Sequence, residues 1–374
     1  MTEANGRRLI PPEIMEEILC KLPVKSLKRF SCVSKSWQSL ISEHRFVRKH
    51  LNGAAQPENL TKRTLMIINP MRSANESLYC IPLSSVQNVG GYYLGGPCTG
   101  DYRQILASYD GLLCIRIDQS VYIWNPFLKT HSKILALTDF RTCYYGFGYD
   151  SRRDDYKLIK LERIRCRDTT ETEVYSLRSR SWTKLDNFPN GYKHNLKFTS
   201  AFVNGSVHWL AINLFLKPNP FVLFSFDLLD NKYREMILPE FWPVSRYVVD
   251  VKLCVLRGML CVLVYWNFCL VLWAMKDYYS DQKSWTKILD IRFDLVFDEY
   301  CTAVDIKPFY MYENGEVLMG VSSKHGTELL ICKDNSVLFR EIIFGNPYLI
   351  HYAFVHVESL ISPLRVENRE EFIP

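Results

Sequence analysis

Four times in this chain a two-residue turn opens directly into an apolar strand: Asp110-Gly111-Leu112-Leu113-Cys114-Ile115, Asn204-Gly205-Ser206-Val207-His208-Trp209, Arg257-Gly258-Met259-Leu260-Cys261-Val262 and Asn314-Gly315-Glu316-Val317-Leu318-Met319. Tyr156-Lys157-Leu158-Ile159 fills the same slot after Asp154-Asp155. Asp-Gly and Asn-Gly favour the primed turns, whose twist matches that of paired antiparallel strands. Counted from Gly111, Tyr156, Gly205, Gly258 and Gly315, the units lie 45, 49, 53 and 57 residues apart. A second mark follows in each: an apolar strand, a polar turn, then an aromatic or apolar residue opening another strand. Val174-Tyr175-Ser176-Leu177 leads to Ser181-Trp182, Phe224-Ser225-Phe226-Asp227 to Lys232-Tyr233, Leu272-Trp273-Ala274-Met275 to Ser284-Trp285, and Leu329-Leu330-Ile331 to Val337-Leu338-Phe339. Four strands per unit at this period predict propeller blades, which leave only short protected edges. Five units fill about residues 103 to 345. The strands at 64–82 lack a full set unless strands near His351 to Ile361 complete them, so six blades are expected, closed by joining both chain ends.

Residues 12–51 have a helical rhythm absent from the rest. Ile14, Ile18 and Leu22 recur every four residues beside Met15 and Leu19, a broad apolar stripe. Pro11 and Pro12 suit a first helical turn and Pro23 closes it. A second helix is predicted over Val24–Val33, burying Leu27 and Phe30, and a third over Ser34–Ile41, with Val33, Trp37 and Leu40 along one side. Phe46 and Leu51 extend the apolar set. Forty residues of short helices cannot cover this surface alone, because small domains keep a high surface-to-volume ratio. A partner protein is implied. The expected fold is therefore mainly β with a small N-terminal α domain of three helices: helices over 1–51, a polar linker over 52–62, a propeller over 63–361 and a tail over 362–374.

The run from Ile10-Pro11-Pro12-Glu13-Ile14 through Leu22-Pro23 to Phe30, followed by Cys32-Val33-Ser34-Lys35-Ser36-Trp37 and Leu40-Ile41, closely resembles the F-box of plant F-box proteins. The resemblance implies binding to the Skp-type adaptor of an SCF (adaptor, cullin, F-box) ubiquitin ligase and, through it, to cullin and RING subunits. Carried over position by position, the adaptor contacts would be Ile10, Pro11, Ile14, Leu22, Pro23, Val33 and Trp37. Ile10 replaces the commoner Leu, a small apolar change. Farther on, Gly111-Leu112-Leu113-Cys114, Trp124-Asn125-Pro126, Gly146-Phe147-Gly148-Tyr149-Asp150, Asp155-Tyr156-Lys157, Val174-Tyr175-Ser176-Leu177, Ser181-Trp182 and Val357-Glu358-Ser359-Leu360 resemble the F-box-associated domain. They are also similar to the S-locus F-box subgroup, which would imply a part in self-incompatibility. Kelch-type proteins are more distant, since the paired glycines of that repeat are missing.

The net charge of +6 is concentrated at the N-terminus, where residues 1–51 carry ten Lys/Arg against five Glu. A nucleic-acid groove would want that excess on the large domain, so an acidic protein partner is expected and nucleic acid is not. Twelve cysteines without a C-x-x-C pair, and an N-terminus without an apolar signal region, read as a reduced cytosolic or nuclear protein. Gly258–Met275 runs eighteen residues without a charge, about the minimum for a membrane span, but Asn267 and its Val, Trp and Cys content favour two buried strands. No membrane segment is expected.

Candidate chemistry is sparse. Gly90-Gly91 and Gly95-Gly96 are not followed by Gly-Lys-Ser/Thr, the histidines are dispersed, and neither His351 with His356 nor Cys254 with Cys261 has metal-ligand spacing. His208, beside Trp209 in an apolar strand, reads as a hydrogen-bonded core residue. No catalytic constellation, metal or cofactor is expected. The reading is a non-catalytic receptor subunit of a ubiquitin ligase; a propeller enzyme or sugar-type ligand receptor, and a scaffold acting outside the ligase, are the alternatives. Target contacts are expected opposite the tight Gly turns, on long connections that carry Arg163, Arg165, Arg167, Lys193, His194, Trp242, Arg246, Asp294 and Asp298, because recognition residues concentrate on variable loops.

Overall fold

The computed structural model describes residues 10–364 apart from the segments 57–58, 69–77, 89–90, 95–102, 137–142, 165–168, 191, 195–199, 214–220, 240–247, 267–268, 280–284, 293–302, 324–325 and 345–352. Helix α1 (Pro12–Cys20) begins with proline at its first position, where the missing N–H would be unpaired anyway. Helix α2 (Val24–Phe30) follows Pro23 and stops three residues short of the predicted Val33. Helix α3 (Lys35–Ser42) is capped by Ser34, whose hydroxyl accepts from Trp37 N at 3.2 Å. A fourth helix, α4 (His44–Ala55), corrects the expectation of three. It buries Phe46, His50, Leu51 and Ala54, a stripe that the histidine and the small alanine disguise in sequence. The polar stretch 52–62 is not a free linker either: α4 crosses its start, and a short 3-10 turn, Leu60–Lys62, buries Lys62 at its end.

Among the described residues, twenty-five strands form six sheets. Blade one uses β1 (Arg63–Ile68), β2 (Leu78–Pro82) and β3 (Tyr92–Leu94). Blade two is β4 (Arg103–Tyr109), β5 (Leu112–Ile117), β6 (Ser120–Asn125) and β7 (Thr130–Ala136), and blade three is β8 (Cys143–Asp150), β9 (Asp155–Ile164), β10 (Thr169–Ser176) and β11 (Ser181–Phe188). In blade four the first strand is split into β12 (Tyr192–His194) and β13 (Ala201–Val203), both paired with β14 (Ser206–Asn213), before β15 (Phe221–Asp227) and β16 (Tyr233–Met236). Blade five is β17 (Val248–Leu256), β18 (Met259–Trp266), β19 (Cys269–Met275) and β20 (Trp285–Arg292); blade six is β21 (Ala303–Met311), β22 (Val317–Ser323), β23 (Gly326–Lys333) and β24 (Ser336–Phe344). The final strand, β25 (Ala353–Val357), pairs antiparallel with β1 from Ala353 opposite Ile67 to Val357 opposite Arg63, and so completes blade one. The expected closure by both chain ends is the observed one.

Burial explains why the inner strands read as continuous apolar runs. Each sheet packs between two others, so both of its faces are core. On β5, Leu112 and Cys114 pack against Phe147 and Tyr156 of blade three, while Leu113 and Ile115 pack against Met66 and Cys80 of blade one. On β18, Leu260, Val262 and Val264 join blade four, and Cys261, Leu263 and Tyr265 join blade six. The uncharged run 258–275 thus supplies the paired second and third strands of blade five, β18 and β19, and no described helix is long and apolar enough to cross a membrane. At Asp110-Gly111, Asn204-Gly205 and Arg257-Gly258 both turn residues have positive φ, as a primed hairpin turn requires.

Candidate adaptor interface

The segment from Ile10 to Leu22, centred on α1, has two apolar faces. Met15, Leu19 and Leu22 turn inward and, with Leu27, Phe30, Trp37, Leu40, Ile41 and Phe46, form the helical core. Ile10, Ile14 and Ile18 turn outward and keep 51, 47 and 47% of their surface exposed, and Val33, in the turn after α2, keeps 67%. Pro11 and Pro23 are exposed as well. Large apolar side chains left outside an otherwise packed small domain mark an interaction surface. Of the seven predicted adaptor residues, Ile10, Pro11, Ile14, Pro23 and Val33 are on the surface. Leu22 and Trp37 are half-buried, with Trp37 edge-on to Phe30 at 5.4 Å between ring centroids, so both also serve the core. Ile18 was absent from that set; the four-residue spacing from Ile14 was the signal that could have added it.

The helical domain sits on the end of the propeller that carries the tight turns. Arg48 on α4 reaches two of them at once: its guanidinium donates to Asp110 Oδ2 at 3.3 Å, to Tyr156 Oη at 3.0 Å and to Asp154 Oδ1 at 3.0 Å, and its flat side lies 4.0 Å over the Tyr149 ring. His44 adds a contact to Asp154 at 2.9 Å. Burial pushes the Asp110 carboxyl up against the pull of Tyr156 and Arg48, whereas at Asp154 hydrogen bonds from Tyr149 and Arg48 outweigh burial and hold the carboxyl below its usual range. Lys28 Nζ donates to Leu128 O in the β6–β7 turn at 2.8 Å. Below α4, Lys62 Nζ donates to Cys20 O at 3.0 Å beside the buried His50, which burial lowers to about 4.

Alternation of strand direction puts the ends of the second strands, the starts of the third, and the strand ends that lead from blade to blade at the opposite end. Several of the connections are shorter than expected: β5–β6, β18–β19 and β22–β23 are separated by two residues each. Of the proposed target residues, Arg163 is half-buried near the end of β9, opposite Thr170. Lys193 and His194 lie in β12, opposite Ile212 and Ala211, a correction to their placement in a free connection. The short strand was missed because three residues show no periodicity. Arg165, Arg167, Trp242, Arg246, Asp294 and Asp298 lie outside the described residues. His208 is fully buried, with Nδ1 at 3.1 Å from Ala201 O and Nε2 at 2.9 Å from Tyr278 Oη, a core residue. Among the described residues no cluster of His, Cys, Asp or Glu could hold a metal ion.

Residues 9–49 match the family model of the F-box domain, and residues 99–363 that of the F-box associated beta propeller domain. The chain is an F-box protein with an F-box-associated propeller. The F-box comprises the outward apolar set, and the propeller match runs from just before blade two through the closing strand β25. An F-box/kelch-repeat protein of Arabidopsis thaliana is 35% identical over 298 residues, 75% of this chain and 79% of that one. The F-box protein CPR1 of the same plant is 26% identical over 322 residues, 76% of this chain and 73% of its own length. Among solved structures, TolB from Acinetobacter baumannii is similar at a TM-score of 0.42 and 9% identity, over 78% of this chain and 68% of that one.

Proposed function

We propose that this F-box protein is the substrate-recognition subunit of an SCF-type ubiquitin ligase. The observation that carries the reading is the outward set Ile10, Ile14, Ile18 and Val33 on a domain whose core is already filled. The Skp-type adaptor covers these residues, and exposed Lys25, Arg29 and Lys35 around Val33 in sequence favour an acidic partner. The F-box occupies the tight-turn end, so the target binds the opposite end through the connections between blades. Catalysis belongs to the cullin-bound partners, and this chain contributes proximity by holding a target near activated ubiquitin. The test is copurification of the tagged chain with adaptor and cullin. Placing carboxylates in the apolar interface with Ile14→Asp and Val33→Asp should weaken adaptor binding at least about 100-fold, or about 2.7 kcal/mol. Both sites are exposed, so melting of the propeller should stay unchanged. Undiminished adaptor capture by the double variant overturns the interface, and adaptor without cullin in wild-type preparations overturns the ligase in favour of a scaffold.

A further inference from the structure

Three sequence marks of the propeller family, far apart in the chain, meet at one point beneath the F-box. Asn125, from Trp124-Asn125-Pro126, is fully buried, and its Nδ2 donates to Ser359 O at 2.9 Å and to Ile361 O at 2.8 Å. Its Oδ1 accepts from Phe127 N at 3.0 Å and Leu128 N at 3.1 Å, which shapes the turn whose Leu128 carbonyl holds Lys28 of the F-box. Gly111, at φ +76°, lies so close to the C-terminal segment that an added Cβ would stand 2.3 Å from Ser359 Cβ and 2.6 Å from Val357 O. The segment itself, Val357-Glu358-Ser359-Leu360-Ile361, touches a different unit with nearly every residue. Val357 ends the strand that closes blade one. Glu358 N donates to Lys62 O at 2.9 Å, and its carboxylate accepts from Val24 N, the first residue of α2, at 3.0 Å. Leu360 packs into the F-box core, and Ile361 packs with Leu51 of α4 against blades two and three.

We propose that residues 357–361 are a latch that fixes the F-box on the propeller only after the ring has closed, with Asn125 as its positioning residue. The F-box is made first and its seat last, because Leu360 and Glu358 come from the far end of the chain. Until β25 pairs with β1, Glu358 and Leu360 are not delivered to α2 and the F-box core, and the domain that carries Ile10, Ile14, Ile18 and Val33 is held on the propeller only through contacts such as those of Arg48 and Lys28 with blades two and three. Closure therefore sets the distance between adaptor and target, which ties ligase geometry to a completed target domain. This last consequence rests on the ligase reading; the latch itself does not.

Hydrogen exchange on the full-length chain tests the latch directly. Asn125→Asp keeps the Oδ acceptor for the 126–129 turn and removes the donor to both carbonyls. Exchange should rise at least tenfold at the amides of 358–361 and of α2, with β14 and β18 unchanged. Glu358→Ala should expose the Val24 amide, and Glu358→Gln, which keeps an acceptor oxygen, should restore its protection; this pair decides the matter should the Asn125 variant fail to fold. Unaltered α2 exchange in Glu358→Ala, or an equal rise in every blade of Asn125→Asp, overturns the latch. In reconstituted ligase with a captured target, Asn125→Asp should keep adaptor and target affinities within twofold and lower ubiquitin transfer at least fivefold. Unchanged transfer despite faster α2 exchange overturns the geometric role. A wild-type chain that binds no adaptor defeats the ligase reading while the exchange result still stands for the latch.

Discussion

His356 lies at the seam where the ring closes, and acid should find it. It is fully buried on β25 opposite Thr64, stacked on Phe127 at 5.4 Å, and neither ring nitrogen has a hydrogen-bond partner among the described residues. Burial lowers it from 6.5 to about 3, because no partner compensates for desolvating the charged ring. Between those values the unfolded chain binds a proton that the folded chain refuses, so stability is greatest above pH 6.5 and is lost as pH falls toward 3. Each pH unit costs up to about 1.4 kcal/mol, so roughly 2.5 kcal/mol has gone by pH 4.5. His50, lowered to about 4 under the F-box, adds a similar loss over the same range. Together they remove about 5 kcal/mol from a fold whose whole stability is of order 5–15 kcal/mol. The assay is thermal melting of wild type and His356→Leu at pH 7.5 and 4.5. Leucine fills similar space and leaves no unpaired nitrogen, so the two proteins should melt within a few degrees of each other at pH 7.5. At pH 4.5 the variant should melt roughly 5 °C higher, taking about 2 °C per kcal/mol for a large domain. Acid also discharges paired carboxylates such as Asp154, but that loss is common to both proteins. Parallel falls in melting temperature would refute a neutral, buried His356.

Ending the chain at Pro347 removes β25, with buried Ala353, Phe354, His356 and Ile361; losing Phe354 and Ile361 alone is worth roughly 5–10 kcal/mol, so urea titration should show the propeller unfolded, and a wild-type midpoint would contradict closure. Gly111→Ala and Gly205→Ala meet the same backbone, φ +76° and +77°, but only Gly111 faces other atoms, so Gly205→Ala should cost about 1–2 kcal/mol in chemical denaturation and Gly111→Ala several more; equal costs would show that the Ser359 contact is not close.

What the sequence makes legible is whatever local geometry demands. The blades could be counted because a two-residue primed turn favours glycine at its second position, as in Asp110-Gly111, Asn204-Gly205 and Arg257-Gly258, and because strands such as Leu112–Ile117 and Met259–Trp266 have core on both faces. Most of the outward apolar set was readable because Ile10, Ile14 and Val33 fall within a dense motif, although the motif alone does not separate outward Ile14 from half-buried Trp37. Helix α4 was hidden because His50 and Ala54 do not look like core, and β12 because three residues carry no period. The joint was illegible for a different reason. Arg48 and Asp110 are 62 residues apart, Asn125 and Ser359 are 234, and Val24 and Glu358 are 334, so no window along the chain contains both partners. Trp124-Asn125-Pro126 and Val357-Glu358-Ser359-Leu360 could be seen as marks of a family, but neither contains its own reason. An asparagine that must place two N–H groups on carbonyls 234 and 236 residues away cannot be replaced by its isosteric acid, and that requirement exists only once the ring has brought the two ends of the chain together.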